Sequence, residues 1–298
     1  MRITNQTLYR DARASIQHSS EQLLEAQREV SSGKKISKPS DDPTAMATSI
    51  GQRAELATIE TYQRAADSGT SRLTVVDTAL SDLVDKLTAV QSAGMAGAGA
   101  PRTPEQREAA AQTLEGLKQA IFEDLNTSFN GTYVFAGANS TTPPFTQGAG
   151  GVVSAYQGST RQVTLDVDQG RSVTIGIDGS TISQGTAAAS IFDDLDTLIA
   201  AVRAGNNTVI SQKLPDIEAG FRRATAAQTR VGVQLAALES TQSQLVDRHL
   251  SAETRVAQNE DVNMAEAISG LTQAENAYNA ALGATGKLSR RSLMDYLS

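Results

Sequence analysis

Only two histidines, His18 and His249, are available for acid–base or metal chemistry, and they lie far apart in the chain. His249 falls on an apolar heptad seam, where a packed or half-exposed ring is the expected role rather than a ligand. Asp41-Asp42 and Asp193-Asp194 are paired carboxylates of the kind that share a proton or hold a cation. Both pairs sit at helix starts, so capping is their expected work. Gly148-Ala149-Gly150-Gly151 is a poor dinucleotide fingerprint, because it lies in a Gly/Ser/Thr-rich region and not between a strand and a helix of a parallel unit. Walker loops, nucleophile elbows and zinc-binding helix motifs are absent, and with no Cys there are no disulfides, thiolate nucleophiles or Cys-ligated metals. Asn5-Gln6-Thr7 and Asn130-Gly131-Thr132 fit the glycosylation pattern, which carries little weight without a signal peptide. The expectation is no catalytic, cofactor or metal site, and no enzyme.

The composition points elsewhere. The chain has 298 residues, with 39% apolar residues, 44 Ala, 23 Gly and only 4% aromatics. Apolar surface is therefore buried mostly through small side chains, which suits close helix–helix contact. A net charge of -7 leaves no basic footprint for nucleic acid or an anionic membrane. The first residues contain no apolar signal core, and no run of about 18 apolar residues spans a bilayer.

Helical periodicity dominates both ends. Tyr9, Ala12, Ile16, Ser19, Leu23, Ala26 and Val30 recur at spacings of three and four, a heptad seam that Gly33 closes. Asp42-Pro43 predicts the start of a second helix, with its seam running from Tyr62 to Val90. That helix is expected to fade into a flexible turn at residues 94–101, where Gly and Ala alternate. Thr103-Pro104-Glu105-Gln106 predicts a capped third helix reaching about Phe129. Helix returns at Ser190, and a long seam follows from Ile217 to Val256. At about 1.5 Å per residue, a 40-residue helix is about 60 Å long and needs partners throughout. After an interruption at residues 259–263, a last helix shows Ala267, Leu271, Ala274, Tyr278, Ala281, Thr285 and Leu288 on one face.

Between these arms the pattern changes. Residues 131–189 hold 10 Gly, 9 Thr and 6 Ser, with alternation at Val163, Leu165 and Val167 and again at Val173, Ile175 and Ile177. A hairpin is expected there, with Val152–Tyr156 as a third strand, in a β insert of three to six strands. The expected fold is mainly α: an elongated antiparallel helical bundle or coiled coil formed by the two arms, with a small inserted β domain. The expected boundaries are 1–44 and 258–298 for the terminal helical arms, 45–130 and 190–257 for a helical rod, and 131–189 for the insert.

The ordered motifs resemble a known family. Ser31-Ser32-Gly33-Lys34-Lys35-Ile36 followed by Pro39-Ser40-Asp41-Asp42-Pro43 resembles the N-terminal block of bacterial flagellins and the related hook–filament junction proteins. Thr132 through Gly137, Pro143-Pro144-Phe145 and the ending Ser292-Leu293-Met294-Asp295-Tyr296-Leu297 are similar to the junction proteins in particular. Gln258-Asn259-Glu260-Asp261 matches the family's acidic block only loosely.

The resemblance implies a structural subunit joining the hook to the filament, with the terminal arms as an inner tube. It implies export without a cleaved signal peptide through the flagellar type III apparatus to an extracellular position on the flagellum. Its implied partners are the first hook-associated protein, flagellin, further copies of itself and an export chaperone at the C-terminal region. Flagellin itself is the alternative reading, and a secreted coiled-coil scaffold or effector a further one. The expected assembly residues are seam positions: Tyr9, Ala12, Ile16, Leu23 and Val30 on the first helix, and Leu271, Tyr278, Ala281, Leu282, Leu288, Leu293, Tyr296 and Leu297 on the last.

Overall fold

A computed structural model of the protein describes residues 5–98, 103–185 and 189–297, and the side chains within them except at 5, 6, 8, 149 and 288–297. The described chain is mainly α, and it divides into two compact units. One unit comprises residues 1–58 and 248–298, and the other residues 59–247.

The unit made of the chain ends contains α1 (Asn5–Ser32), the start of α2 (Pro43–Ala98), the end of α6 (Asn207–Glu260) and α7 (Met264–Leu297). Gly33, at φ 69°, closes α1 in the left-handed conformation that a side chain would resist. Asp42 caps α2 as its position predicts, its Oδ1 accepting from the N–H groups of Thr44 and Ala45 at 2.9 Å each. Asn263 does the same for α7 through the Ala265 N–H at 3.1 Å. α1 packs along α7.

In the other unit, α2 contributes Leu73, Val76, Leu80, Leu83, Leu87 and Val90 to the core, all at 0–1% exposure. The first part of α6 contributes Ile217, Ala224, Val231 and Leu238, each fully buried at the expected seam positions. α3 (Pro104–Leu125) opens on the predicted capping box, Thr103 with Gln106, and packs against α5 (Ile191–Ala204), whose own capping box joins Ser190 to Asp193. Arg203 ties these two helices together, reaching Glu108 at 2.8 Å and Glu115 at 3.0 Å.

Three expectations need correction. α2 does not fade at Gly94 but continues to Ala98, and residues 99–102 lie outside the described residues. Gly94 and Gly97 serve close packing: a Cβ on Gly94 would stand 2.8 Å from Leu214 Cδ2, and one on Gly97 3.2 Å from Val202 Cγ2. Secondly, α3 stops at Leu125 rather than near Phe129. Ser128–Phe129 is instead β1, paired antiparallel with β2 (Thr132–Tyr133). Asn130 (φ 49°) and Gly131 (φ 76°) make a two-residue turn with both central φ positive, which Asn-Gly favours over nearly every other pair.

Thirdly, Val152–Tyr156 is not a strand. Val153 makes a single bridge to Gln147, and a 3-10 turn at Ala149–Gly151 precedes it. The predicted hairpin is present as β3 (Thr164–Asp168) and β4 (Arg171–Thr174), turning at Gln169-Gly170. A one-turn helix, α4 (Gly179–Ser183), follows it. Val134, Phe135, Phe145, Val167 and Ile182 join the same hydrophobic cluster as the helices of this unit.

Candidate assembly interface

The α1–α7 pair collects most of the expected assembly residues. Ala12, Ile16, Leu23 and Val30 are half-buried along α1, with Ser19 and Ala26 between them. Leu271, Tyr278 and Ala281 are half-buried along α7, with Ala274 and Thr285 in the same row, and Ala267 is buried. The pair therefore forms on the predicted heptad seam, although its small side chains leave that seam only partly closed. Tyr9 and Leu282 do not join it and stand 46% and 43% exposed. Leu288, Leu293, Tyr296 and Leu297 lie within the span of α7, but their side chains fall outside the described residues.

The root of this pair is held by two connectors, 33–42 and 261–263. They bridge antiparallel at Lys34 and Asp261. The Lys35 N–H donates to the Glu260 carbonyl at 2.8 Å, and the Val262 N–H donates to the Gly33 carbonyl at 3.0 Å. Asp41 braces the first connector, its carboxylate accepting from the N–H groups of Ser37 at 3.1 Å and Lys38 at 2.9 Å. Those two backbone bonds hold the Asp41 carboxyl below its ordinary range. Of the Asp41-Asp42 pair, only Asp42 caps a helix as its place predicts, while Asp41 braces the connector that precedes it.

Glu260 is the centre of the root, and its side chain is only 3% exposed. It accepts from Lys34 Nζ at 2.6 Å, and also from Arg53 and from the hydroxyl of Ser49. Burial alone would raise its carboxyl, but the bonds from Arg53, Lys34 and Ser49 outweigh burial and lower it to about 2. Two further pairs tie the same stretches of α2 and α6: Asn259 with Gln52 at 3.0 Å and Arg255 with Glu55 at 3.3 Å. Nothing in the local pattern singles Glu260 out, since its three side-chain partners lie more than 200 positions away. Its one sequence signal is the loosely matched acidic block.

A carboxyl lowered on folding adds stability above its unfolded pKa and loses it as pH falls towards the folded value. Glu260 therefore supports the root fully above about pH 4.5 and ceases to do so between there and about pH 2. Glu260→Gln removes that charge while keeping the shape, and leaves Lys34 and Arg53 facing a neutral amide. The expected cost is roughly 2 kcal/mol, reduced by the partial exposure of both cations. Proteolysis at pH 7 checks it: cleavage should rise within α1 and α7 and stay unchanged within α3 and α5. In the unmodified chain, cleavage within α1 and α7 should rise progressively as pH falls from about 4.5 towards 2.

The remaining polar candidates are structural. Asp193 completes the cap of α5, and Asp194, 4% exposed, receives Lys213 Nζ at 2.8 Å. His249 is part-buried with Nδ1 3.9 Å from Glu253. The 3-10 turn at Ala149–Gly151 offers its Gly151 carbonyl to Lys118 Nζ at 2.8 Å, an acceptor rather than a phosphate cradle. Among the described residues, no helix is long and apolar enough to cross a membrane, and no group of three His, Cys, Asp or Glu could hold a metal.

Comparison with known proteins adds to this geometry. Residues 3–140 match the family model of the bacterial flagellin N-terminal helical region. The flagellar hook-associated protein 3 of Salmonella typhimurium is 25% identical over 303 aligned residues, covering 94% of each chain. Its Escherichia coli K12 counterpart is 24% identical, with the same coverage. The crystal structure of flagellar hook-associated protein 3 from Legionella pneumophila superposes with a TM-score of 0.63 at 14% identity. That match covers 70% of this chain and 97% of the other, and it shows a shared fold.

Proposed function

We propose that this chain, a homologue of flagellar hook-associated protein 3 whose residues 3–140 carry a flagellin N-terminal helical region, is the adaptor between the flagellar hook and the flagellin filament. The observation that carries the proposal is the α1–α7 pair. Its seam is only half closed, while Leu24 and Ile268 stand more than half exposed on its outer surface and Met264 and Leu282 somewhat less. Large apolar side chains left in solvent on two long helices mark a surface that neighbouring subunits cover. In this reading the first hook-associated protein lies on one side, flagellin on the other, and further copies of the chain complete the layer. The work is done by helix packing, with no catalytic step.

Immunogold labelling of whole cells tests the proposal. Label confined to the hook–filament boundary supports it. Label along the whole filament would make the chain a flagellin, the reading against which the Thr132–Gly137 and Ser292–Leu297 motifs weigh. Label away from the flagellum would favour a secreted scaffold.

Residues 282–297 bring Leu282, Leu288, Leu293, Tyr296 and Leu297 together as an apolar run. Before export such a run is an aggregation hazard, and helix-in-groove capture by a chaperone is a physical remedy. An export chaperone is accordingly proposed as a partner of this segment, with passage through the flagellar type III apparatus. Leu288→Asp with Leu293→Asp should abolish the chaperone's retention in a pull-down. Undiminished retention would remove this partner from the proposal.

A further inference from the structure

A cavity of about 160 Å³ lies in the unit of residues 59–247, between α6, the approach to β3, the end of β4 and the start of α4. Arg230 and Gln234 line it from α6, where a spacing of four puts them on one face. Thr160 and Gln162 line it from the approach to β3, and Thr174 from the end of β4. Asp178, the cap of α4, and the apolar side chain of Ile177 complete the polar and apolar parts of the wall. Arg230, Thr160 and Gln162 are exposed, so the cavity meets solvent on their side, while Ile177 and Asp178 are buried.

The side chains of Thr160, Gln162, Thr174, Arg230 and Gln234 make no hydrogen bond or ion pair with any described residue. Solvent can answer the first four, but the Oε1 atom of Gln234 is buried without a donor. A buried amide oxygen left so is costly, and its presence points to a guest that supplies the missing donor. The rest of the wall narrows that guest. A carboxylate or sulfate has no proton to give Gln234. Asp178, one oxygen of which accepts from the Ser180 N–H at 2.8 Å, balances the charge of Arg230, so neither a cation nor an anion is favoured. Threonine hydroxyls and glutamine amides both donate and accept, which suits a guest whose groups do the same. Drug-sized ligands occupy about 300–1,000 Å³, so a cavity of 160 Å³ has room for a single ring.

We infer that this cavity binds a neutral monosaccharide, one hydroxyl of which donates to Gln234 Oε1 while its neighbours engage Arg230 and Thr174. Ile177 gives the C–H face of the sugar ring an apolar seat, which water cannot use. Water is the competing guest, since about five molecules fill 160 Å³ at liquid density. A sugar displaces them, replaces their hydrogen bonds from one rigid frame and adds the apolar contact. The inference concerns only residues 59–247 and is independent of the adaptor role, and its test on purified protein does not depend on assembly.

Saturation-transfer NMR on the purified full-length chain tests it, with D-glucose and D-galactose as probes and glycine and acetate as comparators. The expected result is saturable transfer to at least one of the sugars and none to glycine or acetate. A dissociation constant of about 2 mM is expected, the weak end for a ligand of this size. Gln234→Leu removes the orphaned acceptor at similar volume. It should weaken sugar binding at least about tenfold, while the midpoint of thermal unfolding stays level or rises. Arg230→Gln changes an exposed position, so it should leave folding unchanged and weaken binding about threefold or more. Absence of saturable transfer to both sugars would mean that water alone fills the cavity, and would overturn the inference. Stronger transfer to glycine or acetate, or sugar binding that both variants leave unchanged, would overturn it equally.

Discussion

Leu23→Asp combined with Leu271→Asp should leave cells with hooks and no filaments while the chain remains folded. Both leucines are half-buried on the α1–α7 seam, one on each helix. A buried leucine contributes about 1.5–3 kcal/mol, and half-burial gives the lower part of that range. The larger effect is the new carboxylate: each is forced to leave the seam for water or to remain there without a cation, and either outcome parts the helices. Neither residue belongs to the hydrophobic cluster of residues 59–247, which should keep its helical signal in circular dichroism. Filaments of normal length on cells carrying only the double variant would contradict the assignment of this seam to assembly.

Phe192→Ala should cost the unit of residues 59–247 about 3–5 kcal/mol, the range for deleting a large buried aromatic. Phe192 is 1% exposed, in the first turn of α5. Its ring meets Phe145 edge-on at 5.3 Å between centroids and Phe122 at 6.5 Å. Phe145 in turn packs at 5.6 Å against Tyr156, whose hydroxyl donates to the Phe135 carbonyl at 2.9 Å. One ring thus joins α3 and α5 to the irregular segment between β2 and β3. Urea unfolding measures the change through the midpoint at constant slope. Phe122→Ala, at a half-buried position, should cost visibly less. A Phe192→Ala loss under about 1 kcal/mol would mean the segment is held by other means.

The seams are legible in the sequence because their signal is local. Apolar spacing of three and four marks the faces that α1, α2, α6 and α7 bury, and nearly every expected position on α6 is buried or half-buried. Caps are legible for the same reason: Asp42-Pro43, Thr103 with Gln106, and Ser190 are each decided within four residues. What escapes a sequence reading is decided over distance. Glycine in a helix interior costs about 1 kcal/mol relative to alanine, which argues for a break at Gly94, yet Leu214 and Val202 pack where any side chain would intrude. Val152–Tyr156 has strand composition, but with Tyr156 packing on Phe145 only one bridge forms.

The proposed assembly surface divides along the same line. Ala12, Ile16, Leu23, Val30, Leu271, Tyr278 and Ala281 follow from period alone, and they form the seam. Tyr9 and Leu282 continue the apolar pattern in sequence but stand outside the seam in space. Glu260, which fixes the root, has no periodic signature, because a buried carboxylate is defined by partners that only folding supplies.

Deletion of the gene encoding this chain, scored by electron microscopy of the cells and by flagellin in the medium, tests the adaptor role most directly. The predicted result is complete hooks without filaments, with flagellin released unassembled and filaments restored when the chain is supplied again. Filaments of normal length on the deleted cells would contradict the role, because an obligatory joint cannot be removed without losing what it joins.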